Sequence, residues 1–335
     1  MRILVTGATG FLGRKIVASL SKQGADLRVL LRPKHKGLQE LAERQIFLGD
    51  VGDPQSIAAA ARGCDVLVHA AGLSDAHASA HALSWLNVAG TENVINAARH
   101  VGVRKLIFIS CADATLTNRD RVNWNEQKRS NRPLLSAYVQ SKLLAEEVAC
   151  ASSDRSMEVI VLSPAWVWGP DDTSRLPWLC AEIQEKGAIC LPGSGKNYFA
   201  TLHIDSLLQA VDKSIQAQGA GGNVYLLSDL CLATAAEFFG GIAEAFGASI
   251  KTGSSYALNY AEAFLREKLG LAGLWRSDVI LRGRSTLFDV SRAAECLNFS
   301  PRQSLDADMT EFENWAKQSK GLTSIAKLTH RPKTT

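Results

Sequence analysis

The sequence predicts an α/β protein: a doubly wound parallel sheet with a smaller C-terminal lobe. Three observations predict it. Residues 2–20 read strand, glycine turn, helix. Short apolar, β-branched runs then alternate with helical patterns as far as residue 165. From about residue 170 the pattern loosens into mixed elements.

The first unit organises the chain. Arg2-Ile3-Leu4-Val5 is a buried-strand pattern that stops at Thr6-Gly7-Ala8-Thr9-Gly10-Phe11-Leu12-Gly13. Phe11, Leu12, Ile16, Val17 and Leu20 follow at helical spacing. Gly7 suits the tight turn off the strand, Gly10 lets backbone approach a phosphate, and Gly13 lets the helix pack closely. A helix N-terminus there directs free N–H groups at an anion. An ordinary glycine-rich turn is the plain alternative. The flanking strand and helix favour a dinucleotide cofactor instead, with Gly7, Gly10, Phe11, Leu12 and Gly13 as candidate binding residues.

Composition sets the bounds. The chain has 335 residues, 46% of them hydrophobic, which is enough for two domains or one elaborated α/β unit. A net charge of +4 without a dense basic cluster argues against nucleic acid. The seven cysteines lack metal-type pairing and read as reduced thiols, which implies a cytoplasmic protein and no metal site. A first strand beginning at residue 2 leaves no room for a signal peptide, and no apolar run reaches membrane-spanning length.

The second strand is Leu27-Arg28-Val29-Leu30-Leu31, followed by Arg32-Pro33-Lys34-His35-Lys36. NAD sites carry an acid about 20 residues past the glycines, for the ribose 2′-OH. None stands here, and Arg32 with the lysines suits a 2′-phosphate, so NADP is expected before NAD. A solvated basic loop is the alternative. Residues 45–48 form the third strand, then Gly49-Asp50-Val51. Asp53-Pro54 reads as a helix N-cap with proline at the first position. Asp65-Val66-Leu67-Val68-His69 is the fourth strand, with His69 structural. It ends in Ala70-Ala71-Gly72, small residues that let backbone pass a cofactor. A long helix covers residues 80–101, and residues 104–110 form the fifth strand. Residues 112–134, with Arg119, Arg121, Trp124 and Lys128, are polar and irregular: a substrate entrance or a solvated excursion.

Tyr138-Val139-Gln140-Ser141-Lys142 lies in a helical pattern over residues 135–149. Positions i and i+4 share a helix face. A free tyrosine titrates near pH 10, too high for ready proton exchange at neutral pH. A neighbouring ammonium lowers that value, so Tyr138 with Lys142 makes an acid/base pair. An exposed helix pair is the alternative.

These motifs, Gly-x-x-Gly-x-x-Gly and Tyr-x-x-x-Lys after the fifth strand, resemble the extended branch of the short-chain dehydrogenase/reductase superfamily. That branch includes NAD-dependent epimerases and dehydratases, 3β-hydroxysteroid dehydrogenases and dihydroflavonol reductases. The resemblance implies a Rossmann fold over residues 1–165, completed by about 200–230, and a substrate lobe from 166–200 and 230–320. It implies that Asp50, with Val51, lies beside the adenine, that Ala70 and Ala71 line the cofactor, and that Asn87 of Asn87-Val88-Ala89-Gly90-Thr91 buttresses the site. Lys142 is implied to reach the nicotinamide ribose. The chain after the sixth strand, residues 158–163, is implied to cross the nicotinamide face at Pro164. The serine that ends the fifth strand in relatives falls on Cys111 here, and neighbouring strand residues face opposite ways, so Ser110 is not expected to share its role. Most relatives carry arginine where Ser163 stands.

Further on, helical patterns cover residues 176–186, 204–215, 233–246 and 256–270, and residues 223–227 read as a late strand. Trp166, Trp168 and Trp178 form either a substrate wall or core packing. Arg282 and Arg284 are either an anion clamp or a solvated pair. The expected function is an NADP(H)-dependent oxidoreductase acting on a small-molecule secondary alcohol or ketone, with Tyr138, Lys142 and Cys111 catalytic. A retained-NAD sugar epimerase and a non-catalytic dinucleotide sensor are the alternatives, and a homodimer is compatible with each.

Overall fold

In the computed structural model, residues 1–33, 45–75, 78–128, 136–271, 273–319 and 321–327 are described. Lys34, His35, Lys36, Leu135 and the last eight residues lie outside them.

Seven strands form one parallel sheet. They are β1 (Arg2–Thr6), β2 (Asp26–Leu31), β3 (Gln45–Leu48), β4 (Val66–His69), β5 (Lys105–Ile109), β6 (Glu158–Pro164) and β7 (Asn223–Leu227). Their order is β7-β6-β5-β4-β1-β2-β3. The chain winds outward from β1 through β2 to β3, then returns to the other side of β1 with β4. The direction of winding therefore reverses between β1 and β4, and the crevice beyond their carboxyl ends is the place where such folds bind ligands.

Strand sequences are continuously apolar because both faces are covered. Ile3, Val5, Val68, Ile107, Ile109, Ile160 and Leu162 face one core, closed by α1 (Phe11–Lys22) and the helix Ile204–Gln216. The alternate residues Leu4, Leu67, Leu106, Phe108, Val159 and Val161 face the other. That second core is closed by α2 (Pro54–Ala61), α3 (Gly90–His100) and α4 (Ala137–Ala151). Asp53 caps α2 as expected, accepting from Gln55 N at 3.0 Å, with Pro54 at the first position. Ala80–Leu83 and a π-helical turn, Ser84–Ala89, precede α3.

A third core builds the C-terminal lobe. It joins Trp168, Leu179 and Phe199 to Phe238, Phe239, Ile242 and Phe312. Short strands stitch the lobe to the sheet domain. Trp166–Trp168 pairs with Thr201–His203, and Arg121–Trp124 pairs with Thr286–Phe288. Residues 121–124, which the sequence suggests are irregular, are thus ordered by a partner far along the chain. Among the described residues, no helix is long and apolar enough to cross a membrane.

His69 is fully buried at the end of β4, between Thr6 and Thr91 and stacked on Phe108. The Thr91 hydroxyl donates to Asn87 O at 2.6 Å, so its oxygen accepts from His69 Nε2–H at 3.2 Å. His69 Nδ1 then accepts from the Thr6 hydroxyl at 2.7 Å. Burial, helped by the Lys142 charge, holds this neutral imidazole down at about 3. A folded-state value below the unfolded one, about 6.5, gives stability that is complete above pH 6.5 and is lost as the pH falls toward 3. Burial holds His203 down at about 4, which adds a slope of the same sign. Urea midpoints measured between pH 7.5 and 5 should therefore fall on acidification. His69→Gln should flatten that fall, by up to about 1.4 kcal/mol per pH unit.

Candidate active site

The glycine turn is held by backbone packing. Gly7 has φ +75°, and a Cβ on it would lie 2.5 Å from Ala71 N and 2.6 Å from Ala70 O. A Cβ on Gly13 would lie 2.1 Å from Gly7 O, so the helix can seat here only on glycine. Gly10 differs. A Cβ there would meet only Gly7 O, at 3.5 Å, so the side of the turn that should approach a phosphate is open. Gly10 is also the N-cap of α1, no side chain caps that helix, and no acid stands in its first turn. The first N–H groups of α1 are thus available to an anion, and the turn fits a dinucleotide pyrophosphate.

Around this turn lie the other candidates for cofactor contact. Ala70 and Ala71 pack on Gly7. Arg32 follows β2 and is exposed. Asp50 follows β3, and its Oδ1 accepts from Gly52 N at 2.8 Å. Asn93 donates to Val51 O at 3.1 Å. Pro164 ends β6, paired with Leu227.

Asn87 sits buried in the π-helical turn and works as a bracket. Its Oδ1 accepts from Leu73 N at 2.7 Å, and its Nδ2 donates to Leu73 O at 3.1 Å and to Ser141 Oγ at 2.9 Å. Ser141 Oγ donates onward to Tyr138 O at 2.8 Å. Asn87 thus ties the loop after β4 to the helix bearing Tyr138 and Lys142.

The end of β5 meets α4 at Cys111. Its thiol and the Tyr138 hydroxyl lie close enough that each shifts the other's titration, and its sulfur accepts from Asp113 N at 3.3 Å. Ser110 Oγ is buried without a hydrogen-bond partner. The register expected from the sequence, with Cys111 toward the tyrosine, is the one observed.

The electrostatics differ from expectation. Burial pushes the Tyr138 phenol well above its ordinary value; the Cys111 and Asp113 charges push the same way, and Arg175 opposes them. The net shift of the phenol is thus upward, where the sequence suggests a lowering. Lys142 instead points into the sheet, with Nζ 3.5 Å from Ile109 O and 5.2 Å from the Phe108 ring centroid. Burial lowers its own pKa, and the Glu146 charge opposes that. Glu146, one turn along α4, accepts from Ser163 Oγ at 2.8 Å. The serine that replaces the usual arginine is therefore hydrogen-bonded to a buried acid.

Sequence reasoning missed Arg175 and Asp113. They pair at 2.6 Å, and Arg175 lies 4.0 Å from the Trp166 ring centroid. No local motif announces them, because residues 62 positions apart make the pair. Next to them is a narrow cavity lined by Ala112, Asp113, Arg121, Trp166, Leu281 and Phe288, among others. The three tryptophans do not form one wall. Trp166 faces this cavity, Trp168 is buried against Phe238 and Phe312 in the lobe core, and Trp178 is on the surface. Nor are Arg282 and Arg284 a solvated pair or an anion clamp. Arg282 is buried in an ion pair with Glu182 at 2.7 Å, and Arg284 lies 4.2 Å from the Tyr256 ring centroid. Among the described residues, no group of three or more His, Cys, Asp or Glu could hold a metal.

A parallel sheet with an anion-ready glycine turn at its switch point is the frame of NAD(P)-dependent enzymes of the extended short-chain dehydrogenase type. The chain belongs to the 3-beta hydroxysteroid dehydrogenase/isomerase family, whose model matches residues 4–252. It is 28% identical to a 4-hydroxy-2-methyl-3-oxo-4-farnesyl-3,4-dihydroquinoline-1-oxide ketoreductase of Stigmatella aurantiaca, over 92% of this chain and 95% of that protein. It is 31% identical to a 2-alkyl-3-oxoalkanoate reductase of Stenotrophomonas maltophilia, over 68% and 71% respectively. Among solved structures, a dTDP-glucose 4,6-dehydratase of Streptomyces venezuelae with NAD bound superposes with a TM-score of 0.77. It is 22% identical, covering 98% of this chain and all of that one, a likeness of fold.

The site's protonation can be tested directly. Burial pushes the Cys111 thiol up to about 12, so it stays a neutral S–H at pH 8.5, whereas Cys296 is exposed. Only the thiolate is nucleophilic. Alkylation with iodoacetamide at pH 8.5, mapped by mass spectrometry, should label Cys296 and leave Cys111 essentially unmodified.

Proposed function

We propose that the protein is an NADPH-dependent ketoreductase acting on a lipophilic ketone. One observation carries this reading: Tyr138, Lys142 and Cys111 converge in one desolvated recess at the carboxyl end of β5. The reductase names of the two relatives support it, as do the apolar walls of the cavity, Trp166, Phe199, Leu281 and Phe288. In this reading the sheet domain, residues 1–165 with 200–230, holds the cofactor, and residues 166–200 and 230–320 shape the substrate site. Seven free cysteines support a reducing, cytoplasmic location.

The nicotinamide cofactor supplies the hydride when bound. Gly7, Gly10, Phe11, Leu12 and Gly13 would hold its pyrophosphate, with Ala70 and Ala71 alongside. Asp50 and Val51 would serve the adenine, and Arg32 the 2′-phosphate. Pro164 would border the nicotinamide, and Lys142 would serve its ribose by turning from Ile109 O, where its Nζ lies now. Tyr138 gives its hydroxyl proton to the carbonyl oxygen as that oxygen gains charge. Cys111 S–H donates a second, weaker hydrogen bond to the same oxygen. Asn87, through Ser141, keeps Tyr138 in line. The sugar-epimerase alternative loses its candidate diphosphate clamp, since Arg282 is engaged by Glu182.

The deciding experiment is turnover of a 3-oxo acid or other aliphatic ketone with NADPH. Tyr138→Phe should abolish it while leaving cofactor affinity, read by fluorescence titration, within about twofold, since the phenol oxygen makes no cofactor contact in this reading. Cys111→Ser should match or exceed the unmodified kcat, and Cys111→Ala should lose roughly tenfold, the worth of one hydrogen bond. Normal turnover by Tyr138→Phe would move the proton transfer to another group.

Cofactor choice is a separate outcome. NADPH should bind roughly tenfold or more tightly than NADH, the value of one charge-assisted contact to the 2′-phosphate. Arg32→Ala should remove most of that preference. Equal affinities in the unmodified protein would exclude a role for Arg32.

A further inference from the structure

Arg121 opens the short strand Arg121–Trp124 and is 2% exposed. Its Nη1 donates to Thr115 Oγ1 at 2.7 Å and to Ala112 O at 3.4 Å, and its Nη2 donates to Thr286 Oγ1 at 3.1 Å. The Phe288 ring centroid lies 5.3 Å from its guanidinium carbon. These partners are two hydroxyls, a carbonyl and a ring; none carries a charge. Among the described residues the other buried arginine, Arg282, has an acid in contact, Glu182, and the partly exposed Arg175 has Asp113. Among the described residues, no carboxylate lies within ion-pair distance of Arg121. A buried cation without a counter-ion is costly, and such groups are normally paired. Burial lowers the Arg121 pKa to about 10, opposed by the charge of Asp113, which lies outside ion-pair contact.

Arg121 also lines the cavity beside the candidate active site. Its carbonyl partner, Ala112, directly follows Cys111, whose thiol lies beside Tyr138. Ala112 and Asp113 thus join the cavity that Arg121 lines to the Cys111 end of the candidate site. The rest of the lining is largely apolar: Ala165, Trp166, Phe199, Ala200, Leu281 and Phe288. Asp113 is the acid of the cavity, and Arg175 neutralises it at 2.6 Å, so Arg121 remains as the net positive charge.

We propose that Arg121 binds the carboxylate of an oxo-acid substrate, so that the cavity takes an aliphatic ketone carrying an acid group close to the carbonyl. The proposal rests on the ketoreductase reading and names its substrate class. Guanidinium presents paired N–H donors that match a carboxylate, and the apolar walls accept the alkyl chain. The anion would complete a charge pairing that the protein leaves open.

Two measurements test it independently. The first compares kcat/KM with NADPH for 3-oxodecanoate and its methyl ester, in the unmodified protein and in Arg121→Gln. The acid should be preferred, and Arg121→Gln should lower the acid-to-ester ratio by roughly 10- to 100-fold, mostly through KM, as expected for one charge-assisted pair. The second uses decanoate, which cannot be reduced. It should raise the Tm of the unmodified protein and not that of Arg121→Gln, while methyl decanoate should affect both alike. Arg121→Lys keeps the charge and controls for folding, and it should retain part of the acid preference. An unmodified protein that prefers the ester, or decanoate stabilisation that is absent or unchanged in Arg121→Gln, would overturn the proposal. Arg121-dependent decanoate binding without turnover of either ketone would keep the anion site and overturn the ketoreductase reading instead.

Discussion

The structure depends on a contact with no side chains in it. Three backbone segments meet where β1 ends: the glycine turn, the start of α1 and the Ala70–Ala71 turn after β4. A methyl group on Gly7 would come within 2.5 Å of neighbouring backbone, and one on Gly13 within 2.1 Å. This contact fixes where α1 starts and draws β4 against β1, at the point where winding reverses. It also decides what is left open, since Gly10, between the two crowded glycines, has space on its outer side. Strands buried on both faces make the ends of β4, β5 and β6 stationary with respect to that turn. Cys111, Tyr138 and Lys142 are then placed by the same frame that holds the anion-ready helix end.

A second layer lies beneath the tyrosine–lysine helix. Ser163 is the last residue but one of β6, where the resembling proteins mostly carry arginine. An arginine facing Glu146 would neutralise it. Serine satisfies the acid with a hydrogen bond and leaves its charge acting one turn along α4, on Lys142. That charge opposes the burial that would otherwise deprotonate the lysine. The replacement thus moves the acid's influence from a structural ion pair toward the ammonium.

The sheet was legible because its strands are strongly apolar and its turns carry glycine, proline and small residues. Residues 2–6, 66–69 and 105–109 needed only local pattern, and the late strand at 223–227 was visible for the same reason. The orientation of Cys111 followed from the two-residue period of a strand. Contacts between distant residues were not legible. The strand Arg121–Trp124 exists because Thr286–Phe288 pairs with it, and nothing within four residues of Arg121 encodes that. The pairs Arg175–Asp113 and Arg282–Glu182 arise in the same way, from segments 62 and 100 positions apart. The tryptophans are half legible: alternate positions at 166 and 168 share a face, and both pack on the lobe core, with Trp166 also reaching the cavity, while Trp178 lies on the surface.

Protonation links the site's geometry to the proposed direction of reaction. Burial holds both Tyr138 and Cys111 in their neutral, hydrogen-bearing forms. Taking a proton from an alcohol would require the phenolate first, which this recess disfavours. Giving a proton to a ketone oxygen uses the phenol as it stands, and the charge that develops on that oxygen during reduction would draw on both donors. Arg175 supplies a cation that steadies a phenolate once formed, but Asp113 at 2.6 Å offsets it. In the proposed reading, the recess offers two proton donors, Tyr138 and Cys111, to a carbonyl oxygen.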